Sequence, residues 1–100
     1  MGKLIVMLKI TLSQPEYTSK VFAAVNEWLH TYIMANLPAD VSATYTWSND
    51  ETITVAVEIT WTKPQFIEAD FDAMHAWMDT NVMANLPSYA HASYRWVVTS

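Results

Sequence analysis

The sequence predicts an α+β sandwich built from two tandem βαβ units, with one antiparallel four-stranded sheet carrying both helices on the same face. Two observations predict it: a self-match along the chain, and a hydrophobic period that switches from strand-like to helix-like and back within each half. Aligning Lys3–Glu51 with Thr52–Ser100 needs no gap and gives 16 identical pairs in 49. One hundred residues suffice for one hydrophobic core but not for two. The repeats 3–51 and 52–100 are therefore expected to share a single domain spanning 1–100.

Each unit opens on a strand. Leu4, Val6, Leu8, Ile10 and Leu12 alternate with Ile5, Met7, Lys9 and Thr11, while Ile53, Val55, Val57, Ile59 and Trp61 alternate with Thr54, Ala56, Glu58 and Thr60. A period of two puts one strongly apolar face on each strand. Helix starts follow. Ser13 with Glu16, and Thr62 with Gln65, have the capping-box spacing, and Pro15 and Pro64 fall in the first turn, where a missing N–H costs nothing. At about 100° per residue, Phe22, Val25, Leu29, Tyr32 and Ile33 share one side of the first helix, as Phe71, Met74, Met78 and Val82 do in the second.

The longest match, MANLP at 34–38 and 83–87, reads as a helix stop. Asn36 and Asn85 suit a left-handed conformation just past the helix, Leu37 and Leu86 fold back on the last turn, and Pro38 and Pro87 block continuation. A second strand closes each unit: Val41, Ala43, Tyr45 and Trp47 in the first, and Ala90, Ala92, Tyr94, Trp96 and Val98 in the second. Ser48-Asn49-Asp50-Glu51 reads as the hairpin loop joining the repeats.

Right-handed crossovers and that hairpin predict the split βαβ arrangement with sheet order 4-1-3-2 and the first and third strands central. Over the whole chain this order of elements resembles the ferredoxin-like superfold, a resemblance of architecture that implies no activity. Functional modules of that fold carry marks this chain lacks. RNA-binding modules display stacking aromatics on the central strands, where this sequence has Met7, Lys9, Ala56 and Glu58. Metal-chaperone modules use a cysteine pair in the first loop, and there is no cysteine here. Acylphosphatase-like enzymes hold phosphate with a loop and an arginine near the first helix. Here that loop is Thr11-Leu12-Ser13-Gln14, and the single arginine, Arg95, lies on the last strand.

The formal charge of −5 argues against nucleic-acid binding, which needs surplus Lys and Arg to neutralise phosphates. The charge is uneven: residues 1–49 balance, and residues 50–100 carry all of the deficit. A hydrophobic fraction of 52% with only 15% charged residues leaves a charge-poor surface that needs either many Thr, Ser and Asn side chains or a partner. No run of about 18 apolar residues is present, so no membrane partner is expected. A soluble protein is expected, with the cytoplasm favoured. No cofactor is expected.

With the large strand residues turned toward the helices, the opposite sheet face shows Ser, Thr and a modest apolar patch of Ile5, Met7, Ala56 and Val97. That patch is one candidate interface. Trp28 and Trp77, at the edge of the helix stripes, read first as core-edge packing, with an exposed oligomer or partner surface as the alternative that makes them a second candidate interface. Lys9 and Glu58 occupy equivalent repeat positions and are expected to form a surface ion pair. A cleft between two sheets would gather His91, Arg95, Lys9 and Glu58 on one surface. A weaker candidate is a ridge of Glu68, Asp72, His75 and Asp79 on the second helix, at a spacing that offers oxygen and imidazole ligands to a divalent cation. A solvated helix face accounts for the same spacing, and the first repeat has Ala23, Asn26 and His30 opposite the last three.

The expected function is a non-enzymatic protein–protein interaction or assembly module that self-associates as a homo-oligomer or meets another protein. The alternatives are a small-molecule binder or cofactor-free enzyme with its pocket between subunits, and an acidic docking protein for a basic partner.

Overall fold

The structure, a computed structural model, describes residues 2–13, 19–49 and 52–99. Strands β1 (Gly2–Leu12), β2 (Val41–Asn49), β3 (Ile53–Lys63) and β4 (Ala90–Thr99) form one antiparallel sheet in the order β2-β3-β1-β4. This is the predicted order, read from the opposite edge. The alternation along each strand sets its two faces, so Leu4, Val6, Leu8 and Ile10 of β1 and Val55, Val57 and Ile59 of β3 all point one way and are almost fully buried. Against them pack Val25, Leu29 and Ile33 from the first helical segment and Met74, Met78 and Val82 from the second.

Both helices change pitch at the same place. α1 (Ser19–Trp28) widens into a π-turn, Leu29–Ile33, and tightens into a 3₁₀ turn, Met34–Asn36; α2 (Glu68–Trp77) repeats this at Met78–Val82 and Met83–Asn85. The two helices meet at these π-turns. The wider turn advances each residue by less than an α-helix does. Ile33 therefore stays in the core at 0% exposure, while Tyr32, predicted beside it, is turned out to 36% exposure. Tyr32 instead lies against Trp28, with ring centroids 5.9 Å apart.

The helix stops also differ from the prediction. Among the described residues, Asp40 is the only non-glycine with positive φ, so Asn36 and Asn85 are not left-handed. Their side chains act instead. Asn36 Nδ2 donates to the carbonyls of Thr31 and Tyr32 at 2.8 and 3.4 Å, and Asn85 Nδ2 donates to those of Thr80 and Asn81 at 3.0 and 3.2 Å. The last carbonyls of a helix lack intrahelical partners, and here an amide two-pronged donor supplies them. Leu37 and Leu86 take extended backbone ahead of proline, the conformation that proline imposes on its predecessor.

Helix α2 starts later than the Thr62–Gln65 spacing predicts, because Thr62 and Lys63 still pair with β1 opposite Lys3 and Gly2. Its actual start is Ile67, whose N–H donates to Asp70 Oδ2 at 2.8 Å while the Asp70 N–H returns to the Ile67 carbonyl at 2.9 Å. Pro15, Glu16 and Tyr17 lie outside the described residues, as do Asp50 and Glu51. Ser13 bonds Tyr89 O through both its N–H and its hydroxyl. Ser48 and Asn49 belong to β2, paired with Thr54 and Ile53.

Candidate functional site

The sheet face away from the helices is left uncovered by the fold. Three successive rows cross it from β2 to β4: Ser42, Thr60, Ile5 and Val97; then Thr44, Glu58, Met7 and Arg95; then Thr46, Ala56, Lys9 and Ser93. Met7 and Val97 are 41% and 46% exposed, which is high for large apolar side chains. Ile5 lies half-buried between them and Ala56 is exposed, so the four predicted interface residues do share this face. A concavity of about 610 Å³ lies over the two lower rows, with Met7, Lys9, Glu58 and Arg95 among its lining residues. His91 stands farther along β4, opposite Thr11, and does not line it.

The predicted Lys9–Glu58 ion pair does not form. The register places Glu58 across from Met7 and Lys9 across from Ala56, so the two charges are diagonal neighbours. The ion pairs among the described residues are Lys63–Asp70 and His75–Asp79. Lys9, Glu58 and Arg95 thus share an exposed face without partners among those residues. Charge is also sorted between the two faces. The open face carries Lys3, Lys9 and Arg95 against Glu58, whereas on the helix side Lys20 and Lys63 stand against Glu27, Glu68, Asp70, Asp72 and Asp79.

Trp28 and Trp77 are committed inside the chain. Trp28 is 8% exposed, and its Nε1 donates to the Asn85 carbonyl at 2.6 Å, while Trp77 Nε1 donates to the Asn36 carbonyl at 3.0 Å. The two tryptophans therefore close the helix ends, each reaching across to the other repeat.

Of the acidic ridge, only two members come together: His75 Nε2 lies 3.4 Å from Asp79 Oδ2, and both side chains are more than half exposed. Glu68 and Asp72 remain exposed on the helix. Among the described residues, no three His, Asp or Glu side chains converge on a cation position. What the ridge does build was not legible from its spacing alone. His75 Nδ1 sits 3.0 Å from the Tyr94 hydroxyl on β4, completing a chain from carboxylate to imidazole to phenol. Burial, and then the nearby Asp79 charge, push the Tyr94 phenol above its ordinary value. The equivalent positions of the other repeat are connected differently, with both polar groups meeting the phenol directly. Tyr45 donates to Asn26 Oδ1 at 2.7 Å and lies 3.1 Å from His30 Nε2.

Sequence reasoning also missed Lys63. Its Nζ lies 2.8 Å from Asp70 Oδ1 and over the Trp61 ring at 5.2 Å. The hydrogen bond from Lys63, followed by that from the Ile67 N–H, holds the Asp70 carboxyl below its ordinary 3.8. The expectation that a helix begins at Thr62 places Lys63 in its first turn and hides this contact.

No protein-family model matches the chain, and no curated protein does. Among solved structures, the chain is similar to the crystal structure of a dimeric ferredoxin-like protein from an uncultured marine organism. The identity is 13% and the TM-score 0.58, covering 99% of this chain and 96% of that one. It is also similar to the de novo designed protein Foldit4, at 12% identity and a TM-score of 0.50, covering 98% and 97% of the two chains. Likeness at these identities shows the fold, which is ferredoxin-like. No helix among the described residues is long and apolar enough to cross a membrane.

Proposed function

We propose that the chain is a non-enzymatic assembly module that forms a homodimer by packing its open sheet face against the same face of a second copy. The observation that carries this reading is the pairing of exposed Met7 and Val97 with unpartnered charges of both signs in the adjoining rows. A two-fold axis lying between the two sheets, parallel to their faces, sets apolar patch on apolar patch and turns Glu58 of each copy toward the cations of the other. Such isologous contact is the commonest form of self-association. Two aligned sheets pack face to face in this way in β-sandwiches. Four strands of about ten residues offer roughly 600 Å² per copy from strand spacing and rise, enough for a total burial near the lower bound of stable interfaces, about 1,200 Å². The similar ferredoxin-like protein is described as dimeric, which supports the reading without fixing the geometry.

The test is solution mass by light scattering over a concentration series. Wild type is expected to reach twice the monomer mass, Met7→Lys to remain monomeric over the same range, and Asp72→Lys, on the helix surface, to behave as wild type. A wild-type chain that stays monomeric at every concentration contradicts the proposal.

A further inference from the structure

We infer that the sheet-face concavity is a binding site for a small dianion, bearing carboxylate or phosphate groups, clamped between the cations of two copies; this rests on the dimer proposed above. The concavity of about 610 Å³ has two cations on its lining, Lys9 and Arg95, and one carboxylate, Glu58. None of the three has an ion-pair partner among the described residues. A second copy laid on this face doubles the count to four cations and two carboxylates. Each Glu58 neutralises one cation of the opposing copy, and two cations are left. Charges removed from water are costly unless they are paired and hydrogen-bonded, so the closed face has an unmet demand for two negative charges. Arg95 presents a planar fork that matches carboxylate and phosphate oxygens in pairs. Lys9 adds a mobile ammonium, and the hydroxyls of Thr44, Thr46 and Ser93 on the same lining are donors for the remaining oxygens. The helix side, with its excess of carboxylates, offers no comparable site for such a ligand.

The experiment measures the dimerisation midpoint of the full chain by light scattering in chloride, succinate and inorganic phosphate at matched ionic strength and pH. The same series is repeated for Lys9→Met and Arg95→Gln. Wild type is expected to dimerise at about tenfold lower protein concentration in at least one of the two dianions than in chloride. Succinate alone marks a carboxylate site and phosphate alone a phosphate site. The variants, relieved of a surplus cation, are expected to dimerise in chloride at least as well as wild type and to lose the anion response. A wild-type dimer whose midpoint is the same in all three buffers overturns the anion site and leaves the sheet-face dimer standing. A chain that stays monomeric in all three overturns both.

Discussion

The Trp28 indole N–H donates to the main-chain carbonyl of Asn85 at 2.6 Å, across 57 residues of sequence, and Trp77 makes the mirror contact to Asn36. A helix-end carbonyl has no partner of its own, so each repeat finishes the helix of the other. Phenylalanine keeps most of the ring and removes the donor. Trp28→Phe is expected to cost about 1–2 kcal/mol, because a part-buried carbonyl is left unpaired. Trp77→Phe is expected to cost less, since water replaces its exposed bond. Urea unfolding of the two variants measures this, and a Trp28→Phe protein as stable as wild type would deny the bond any weight.

Asn36 and Asn85 distinguish two ways of ending a helix. If left-handed backbone were the reason for asparagine here, glycine would serve at least as well. The observed bonds from Asn36 Nδ2 to Thr31 and Tyr32 make the side chain the active part. Asn36→Gly is therefore expected to lower stability by about 1 kcal/mol or more, combining the lost bonds with glycine's greater freedom in the unfolded chain. A shift of the thermal midpoint upward would overturn this account of the stop.

Asp70 sets an acid limit. Its carboxyl is depressed in the folded chain by Lys63 and by the Ile67 N–H, so the unfolded state binds its proton first as pH falls. The resulting stabilisation is fully present above the ordinary value of 3.8 and is lost as pH drops through the lower folded-state value. Asp70→Asn is expected to unfold at lower temperature near neutrality and to show a shallower loss of thermal midpoint below pH 3.8. Parallel curves for the two proteins would remove Asp70 from the acid response.

Tyr94 sets an alkaline counterpart. Its phenol is raised above the ordinary 10.0 by burial and by Asp79, and raised groups of this kind lose their stabilising contribution as pH rises through the folded-state value. Neutralising one cause in Asp79→Asn is expected to move the Tyr94 titration back toward 10.0, read by ultraviolet difference spectroscopy against a Tyr94→Phe blank. An unmoved titration would leave burial as the whole cause.

The strands were legible because their period is set by backbone geometry alone. Leu4 to Leu12 and Ile53 to Ile59 alternate without interruption, and the first and third strands, richest in large apolar residues, lie at the centre of the sheet. Helix detail was less legible because two different devices share one residue pattern. Asn followed by Leu and Pro fits both a left-handed cap and a side-chain cap, and only the backbone φ decides. The π-turn leaves no mark of its own at Leu29–Ile33, so Tyr32 looks as buried as Ile33 under a uniform helical period. On the open face, alternation put Met7, Lys9 and Glu58 together correctly. The diagonal offset that keeps Lys9 from Glu58 is a property of strand register, which the two β-strands acquire only on pairing.

The most direct measurement of the proposed sheet-face dimer is an isotope-filtered nuclear Overhauser experiment on a mixture of ¹³C-labelled and unlabelled chain. It needs no substitution and reads contacts between copies by residue. Intermolecular signals from the Met7 and Val97 methyls, with none from the exposed Ala73 and Ala76 methyls on the outer side of α2, are the predicted result. Signals confined to the helix layer, or none from Met7 and Val97 at concentrations where the mass is dimeric, would contradict it.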